Sequence, residues 1–338
     1  MELKKKDTKM LQGLSVLAMV CLHLFDRDYN GLFQPLIMIK GIPLSFYLGQ
    51  LSDFCVFGFA FCTGYAHMLL FKERDFYKNR LKSLFSLLCN YWLILILFSL
   101  ISILVGKGQY IPKDLVSFFK NFFLIESSFN GAWWYMYAYA FLVVFSPFLI
   151  KFIKDGNKCV IGIISFIIYT FSYYIRFKYY TDNLILMKIG PLGMTLVEYF
   201  VGAMFYKYRI LTYLYNIWIK MNKAIRIFLC ITTIIVLLYF RTLIVPSLYV
   251  APISGIIVMI IFHFWNKPHI VEKIFLYIGK HSTNIWLTHM FFYLTIFPDL
   301  VYKMKYPLFI FISMIILTLM VSHLIFYIRK KIQIIHYT

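Results

Sequence analysis

The sequence predicts an all-α protein, a polytopic bundle of transmembrane helices, on three observations: composition, the length of the apolar runs and the placement of positive charge. Of 338 residues 62% are hydrophobic, with a mean hydropathy of +0.77. An ordinary soluble domain carries about 45–50% apolar residues. Runs that approach the roughly 20 residues a spanning helix needs lie near residues 10–26, 46–71, 84–105, 132–153, 159–175, 190–206, 224–241, 248–265, 281–297 and 307–328. That gives about ten spans. With the N-terminus in the cytoplasm, alternate loops place about two thirds of the 34 Lys and Arg inside, as the positive-inside rule requires. Both termini are then cytoplasmic.

The elements follow in order. KKKDTK precedes the first run, but no small-x-small cleavage site follows it, so the run reads as a retained helix and not a signal peptide. FYKNRLK is a dense cytoplasmic loop. The longest outer loop, 106–131, contains LVSFFKNFFLI, an amphipathic segment suited to the interface. No loop is long enough for a soluble domain and no repeat appears, so one membrane domain fills residues 1–338. The net charge of +20 is broken into short clusters between apolar runs. That pattern excludes nucleic acid and fits contact with membrane lipids. All six cysteines sit inside apolar runs, where they act as small hydrophobes.

Polar side chains at membrane depth are costly and face a cavity or a partner. Gln12 and His23 stand eleven residues apart, about three turns and 16 Å, on one face of the first helix. This is the layout of a lined cavity. Asp53, near the outer end of the second run, lies at a depth similar to His23, and Glu198 interrupts the sixth run. His289 falls in the middle of the ninth run with Ser282 two turns below it. Trp133 and Trp134 stand where interfacial anchors belong, with stacking against a sugar ring as the other reading. His67, His263 and His323 match no motif and read as structural. The histidines are scattered and the cysteines lack paired spacing, so no metal site is expected. There is no phosphate-binding lysine loop, dinucleotide glycine pattern or nucleophile elbow.

Five stretches together carry a family resemblance: MLQGLSVLAMVCLH, FGFAFCTGYAHMLL, FYKNRLKSLF, GAWWYMYAYAFLVVFSP and IGKHSTNIWLTHMFF. In that order they resemble the acyltransferase 3 family of integral membrane acyltransferases. His23 takes the place of the family histidine, and Gln12 stands where the family has arginine. Thr63, Gly64 and Tyr65 occupy its Ser-Gly-aromatic motif, Arg80 matches an arginine of the cytoplasmic loop, Ser83 replaces a second one, and Ser282 and His289 hold recurrent positions.

The resemblance implies transfer of an acetyl group from cytoplasmic acetyl-CoA to a hydroxyl of a cell-surface or exported glycan, in a bacterial plasma membrane. On that reading His23 is the general base, Asp53 orients its ring, and Gln12, Thr63 and Ser282 are candidate donors to the thioester oxygen. Lys9, Arg80 and Thr63 are the candidate contacts to the coenzyme. Trp133, Trp134, Ser282 and His289 are the candidate contacts to the carbohydrate acceptor. No metal takes part. The alternative is a non-enzymatic glycan flippase or exporter, which also needs a polar path. A membrane glycan polymerase fits less well, because only Arg27, Arg176 and Arg241 fall in the outer loops.

Overall fold

The computed structural model describes residues 2–27, 31–178, 184–243 and 248–331. In chain order its helices are α1 (Lys5–Phe25), α2 (Leu44–Leu51), α3 (Cys55–Leu70), α4 (Phe76–Leu104), α5 (Leu115–Phe122), α6 (Trp134–Val144), α7 (Ser146–Asp155) and α8 (Lys158–Lys178). There follow α9 (Leu184–Lys207), α10 (Ile210–Trp218), α11 (Lys223–Leu243), α12 (Ala251–Phe264), α13 (His269–Met290), α14 (Pro298–Tyr302) and α15 (Pro307–Lys331). A two-residue hairpin, Met38–Ile39 against Ile42–Pro43, is the one sheet among the described residues. The fold is all-α.

Each of the ten apolar runs lies on helix. By length and apolarity seven segments qualify as spans, and α6 with α7 makes an eighth if a 63° bend is allowed within it. The bend has a local cause: Pro147 sits in the first turn of α7 and disfavours a helical residue before it. The two runs that do not qualify fall on α12, which has 14 residues, and on α13, whose first half is charged. The sequence count of ten therefore exceeds the seven to eight segments that meet the criterion among the described residues.

Apolar side chains also cover the outside of these helices. Leu104, Phe148, Phe166, Ile163 and Phe171 are each more than 60% exposed. A water-facing surface of this kind would aggregate, whereas lipid accepts it.

The chain forms two compact units, each assembled from separate segments. The first comprises Met1–Asp26, Phe46–Phe76 and Phe145–Lys280; the second comprises Arg27–Ser45, Tyr77–Val144 and His281–Thr338. Within the first, α3 lies against α9 around a core of Met10, Leu11, Phe57, Phe61, Tyr65, Phe205 and Met259, and α8 lies against α9 around Tyr169, Met194 and Val197. Glycines permit the closest approaches: a Cβ on Gly64 would meet the Tyr199 carbonyl oxygen, and one on Gly202 that of Phe61. Small residues at such crossings are how helices pack where lipid removes the hydrophobic drive.

The second unit is aromatic at its centre. Phe98 stacks on Phe291 at 4.3 Å, and Tyr91 and Phe291 meet the edges of Trp133. Loop 106–131 folds back through Asn121, whose carbonyl accepts from Tyr91 Oη at 2.7 Å and whose amide donates to Ser117 O and Ser128 Oγ. The amphipathic segment forms α5, with Leu115, Val116, Phe119 and Phe123 exposed.

Candidate active site

In the first unit, Gln12 and His23 are both half-buried on one face of α1. Val16 and Met19, which occupy the same face between them, are 0% and 4% exposed. Apolar side chains thus interrupt the polar face between Gln12 and His23, which stand at separate depths. Cys21 of α1 hydrogen-bonds Ser52 in the Ser52–Phe54 turn.

Asp53, 6% exposed, lies in that turn and within electrostatic reach of Glu198. Glu198 is 4% exposed, with Oε2 finding no hydrogen-bond partner among the described residues, and the guanidinium of Arg176 acts on it. The sixth run thus brings a buried carboxyl to a basic neighbour.

Lys9 is exposed near the start of α1. Thr63, adjacent to Cys62, donates its hydroxyl to Phe59 O at 2.8 Å. Thr63, one of three candidate donors to a thioester oxygen, thus makes this bond within its own helix. Tyr65, in the aromatic place of the same motif, binds the carboxylate of Glu2 and accepts from Leu3 N at 3.0 Å. Thr212 donates to the other Glu2 oxygen at 2.5 Å. These bonds tie the N-terminal segment to α3 and α10.

In the second unit Arg80 is half-buried near the start of α4, with Nε lacking a hydrogen-bond partner among the described residues and Tyr139 in its field. Trp133 corrects the sequence reading. It is 1% exposed, and its Nε1 donates to Leu287 O at 3.0 Å. A ring packed in this way neither anchors in an interface nor stacks on a sugar. Trp134 is half-buried among Tyr135 and Tyr137. Ser282 and His289 are 3% and 0% exposed, and His289 Nδ1 lies 2.7 Å from Trp286 O. Neither is placed to touch an acceptor in this conformation.

Sequence reasoning missed a buried polar chain in the same unit. Arg329, 4% exposed, donates to Ser86 Oγ at 2.9 Å and Asn90 Oδ1 at 3.2 Å. Asn90 Nδ2 donates to Asn284 Oδ1 at 2.7 Å, Asn284 Nδ2 donates to Ser322 Oγ at 2.8 Å, and Ser322 Oγ meets His281 Nδ1 at 2.8 Å. The His323 ring packs 4.6 Å from that of His281. His67 is structural in the ordinary sense: buried, with Nδ1 3.1 Å from Tyr199 Oη.

The family model described as an acyltransferase domain matches residues 8–327. No curated protein and no solved structure matches the chain. With the match running over nearly its whole length, through both units and every motif above, the chain belongs to the acyltransferase 3 family.

Proposed function

We propose that this membrane acyltransferase moves an acetyl group from cytoplasmic acetyl-CoA to a hydroxyl of a cell-surface or exported glycan in a bacterial plasma membrane, with both termini in the cytoplasm. The observation that carries the reading is His23: the residue that takes the place of the family histidine by resemblance stands half-buried at the end of α1, not packed away as His67 and His289 are. A sugar hydroxyl is a weak nucleophile at neutral pH, and an imidazole is suited to accept its proton.

The hydroxyl oxygen attacks the thioester carbonyl while His23 takes the hydroxyl proton. The tetrahedral adduct then collapses, the C–S bond breaks, and the thiolate of CoA leaves and recovers that proton. Arg80, with a guanidinium N–H unspent, and the exposed Lys9 are suited to phosphates of the coenzyme. Family membership favours this enzyme over a non-enzymatic glycan carrier.

The test is mass spectrometry of surface glycan from cells with the protein, without it, and with His23→Gln. Acetyl groups present only with the unsubstituted protein are expected. An unchanged glycan in the deletion, or full acetylation by His23→Gln at equal membrane abundance, sinks the proposal.

A further inference from the structure

Arg27 is unused by this chemistry. Its guanidinium lies over the Tyr293 ring, 5.3 Å from the centroid, and Nη1 donates to Tyr302 Oη at 3.0 Å. Tyr293 is 4% exposed and belongs to a π-helical turn, Phe291–Thr295, that continues α13 beyond His289. Turns of this kind are rare and concentrate at functional sites. The Tyr293 ring stacks on His289 at 6.0 Å, and Lys107 Nζ donates to Ile296 O at 2.7 Å just after the turn. Arg27 is thus held between two phenols of the second unit, one offering its face and the other its hydroxyl.

No carboxylate among the described residues pairs with Arg27. A guanidinium has five N–H donors, and among the described residues one is used, on Tyr302 Oη. Of the acids in these loops, Asp26 accepts from Gln50 Nε2, Asp114 caps α5, Glu126 holds Lys120 and Asp299 lies in the first turn of α14 without an ion pair to Arg27, while Lys303 and Lys305 stand exposed beside Tyr302. On the proposed orientation these loops are external, where positive charge is disfavoured by topology. A half-buried, aromatic-framed arginine there needs another reason, and its planar fork matches an oxyanion.

We propose that Arg27, framed by Tyr293 and Tyr302, is a binding subsite for an oxyanion of the acceptor, the carboxylate or phosphate of an acidic saccharide. That the oxyanion belongs to an acceptor rests on the acyl-transfer reading; that an anionic saccharide binds here does not.

The test uses the full-length protein in phosphatidylcholine nanodiscs, titrated with methyl glucuronide, glucose 6-phosphate and the neutral methyl glucoside and followed by saturation-transfer NMR. At least one anionic probe is expected to bind about tenfold tighter than the neutral one. Arg27→Gln removes that preference and Arg27→Lys keeps part of it, with unfolding temperatures unchanged. The glucuronide arm reports a carboxylate and the sugar phosphate arm a phosphate. Equal binding of all three probes, or a preference that survives Arg27→Gln, overturns the proposal. So does loss of saccharide binding when phosphatidylglycerol is added, because the site then belongs to a lipid headgroup. Acetylation of a neutral glycan at full rate by Arg27→Gln, with no anionic preference, sinks this inference alone. Anionic preference without acetylation of any glycan sinks the acyl-transfer reading alone.

Discussion

Arg329 donates from Nη1 to Oδ1 of Asn90 at 3.2 Å, and this bond fixes the direction of the polar chain behind it. A guanidinium only donates. Asn90 must therefore turn its oxygen toward Arg329 and its amide toward Asn284, which repeats the pattern toward Ser322. The Ser322 hydroxyl, already accepting from Asn284, is free to donate its own proton to His281 Nδ1, 2.8 Å away. Such one-way chains reinforce themselves in a low dielectric.

Asn90→Leu is expected to cost about 1–3 kcal/mol for each buried polar group it orphans, the Arg329 N–H and the Asn284 oxygen. The double variant with Asn284→Leu should cost less than the sum of the two single changes. Denaturant unfolding of the detergent-solubilised protein measures both, and strict additivity would show that the residues do not act as a unit. In ¹⁵N-histidine spectra the Nδ1 of His281 should be the unprotonated nitrogen.

Helical glycines separate by what surrounds them. Gly162, in α8, has nothing within 4 Å of the position its Cβ would occupy. Gly162→Ala should stabilise by up to about 1 kcal/mol through helix propensity alone. Gly64→Ala drives a methyl into the Tyr199 carbonyl, a backbone atom that cannot swing aside. About 1–3 kcal/mol of destabilisation is expected there, through a forced separation of α3 and α9. Thermal unfolding of the two variants side by side decides it; shifts of the same sign would contradict the packing described.

Helix was legible at each of the ten apolar runs, but the apolar length a bilayer imposes is met by seven to eight segments among the described residues, so the sequence overcounted the spans. Partnership across the chain was not legible. Trp133 at the head of an apolar run looks like an anchor, since sequence gives its depth but not its face; its indole partner, Leu287, lies 154 residues away. Asn90 and Asn284 stand out as polar breaks in SLLCNYWL and STNIWL, yet nothing local pairs them across 194 residues. Arg329 heads the basic cluster RKK and reads as a topological charge until its guanidinium is found buried. On α1 the shared face of Gln12 and His23 was predictable from helical period, whereas the burial of Val16 and Met19 between them depends on packing.

Asp114 caps α5, accepting from Ser117 N at 2.7 Å and from its hydroxyl at 3.2 Å. The hydrogen bond from the Ser117 amide, chiefly, holds this carboxyl below the usual carboxylate range. A carboxyl depressed in the folded state contributes fully above its unfolded pKa, about 3.9. That contribution fades as pH falls through the lower folded value. Corrected for intrinsic rates, amide exchange in α5 should quicken over that acidic window. Asp114→Asn should keep most of the cap and abolish the pH dependence, while Asp114→Ala loosens α5 at every pH. Unchanged protection in Asp114→Ala would remove the cap from the account of this loop.

On the acyl-transfer reading, the apolar strip between Gln12 and His23 makes them separable in kinetics. With Val16 and Met19 buried between them, the amide near the start of α1 and the imidazole near its end would meet different parts of the reacting pair. His23→Gln removes proton acceptance and should lower kcat about 10²–10⁴-fold. Because the ring is half-buried, its loss should leave the unfolding temperature within a few degrees of the parent. Gln12→Ala removes no proton transfer, and should raise the KM for acetyl-CoA with kcat nearly unchanged, the pattern of lost uniform binding. Steady-state assays with purified protein and an acetylatable glycan give both constants. A fall in kcat at unaltered KM for Gln12→Ala would mean that the two side chains meet in the transition state, and that the apolar strip opens during the reaction.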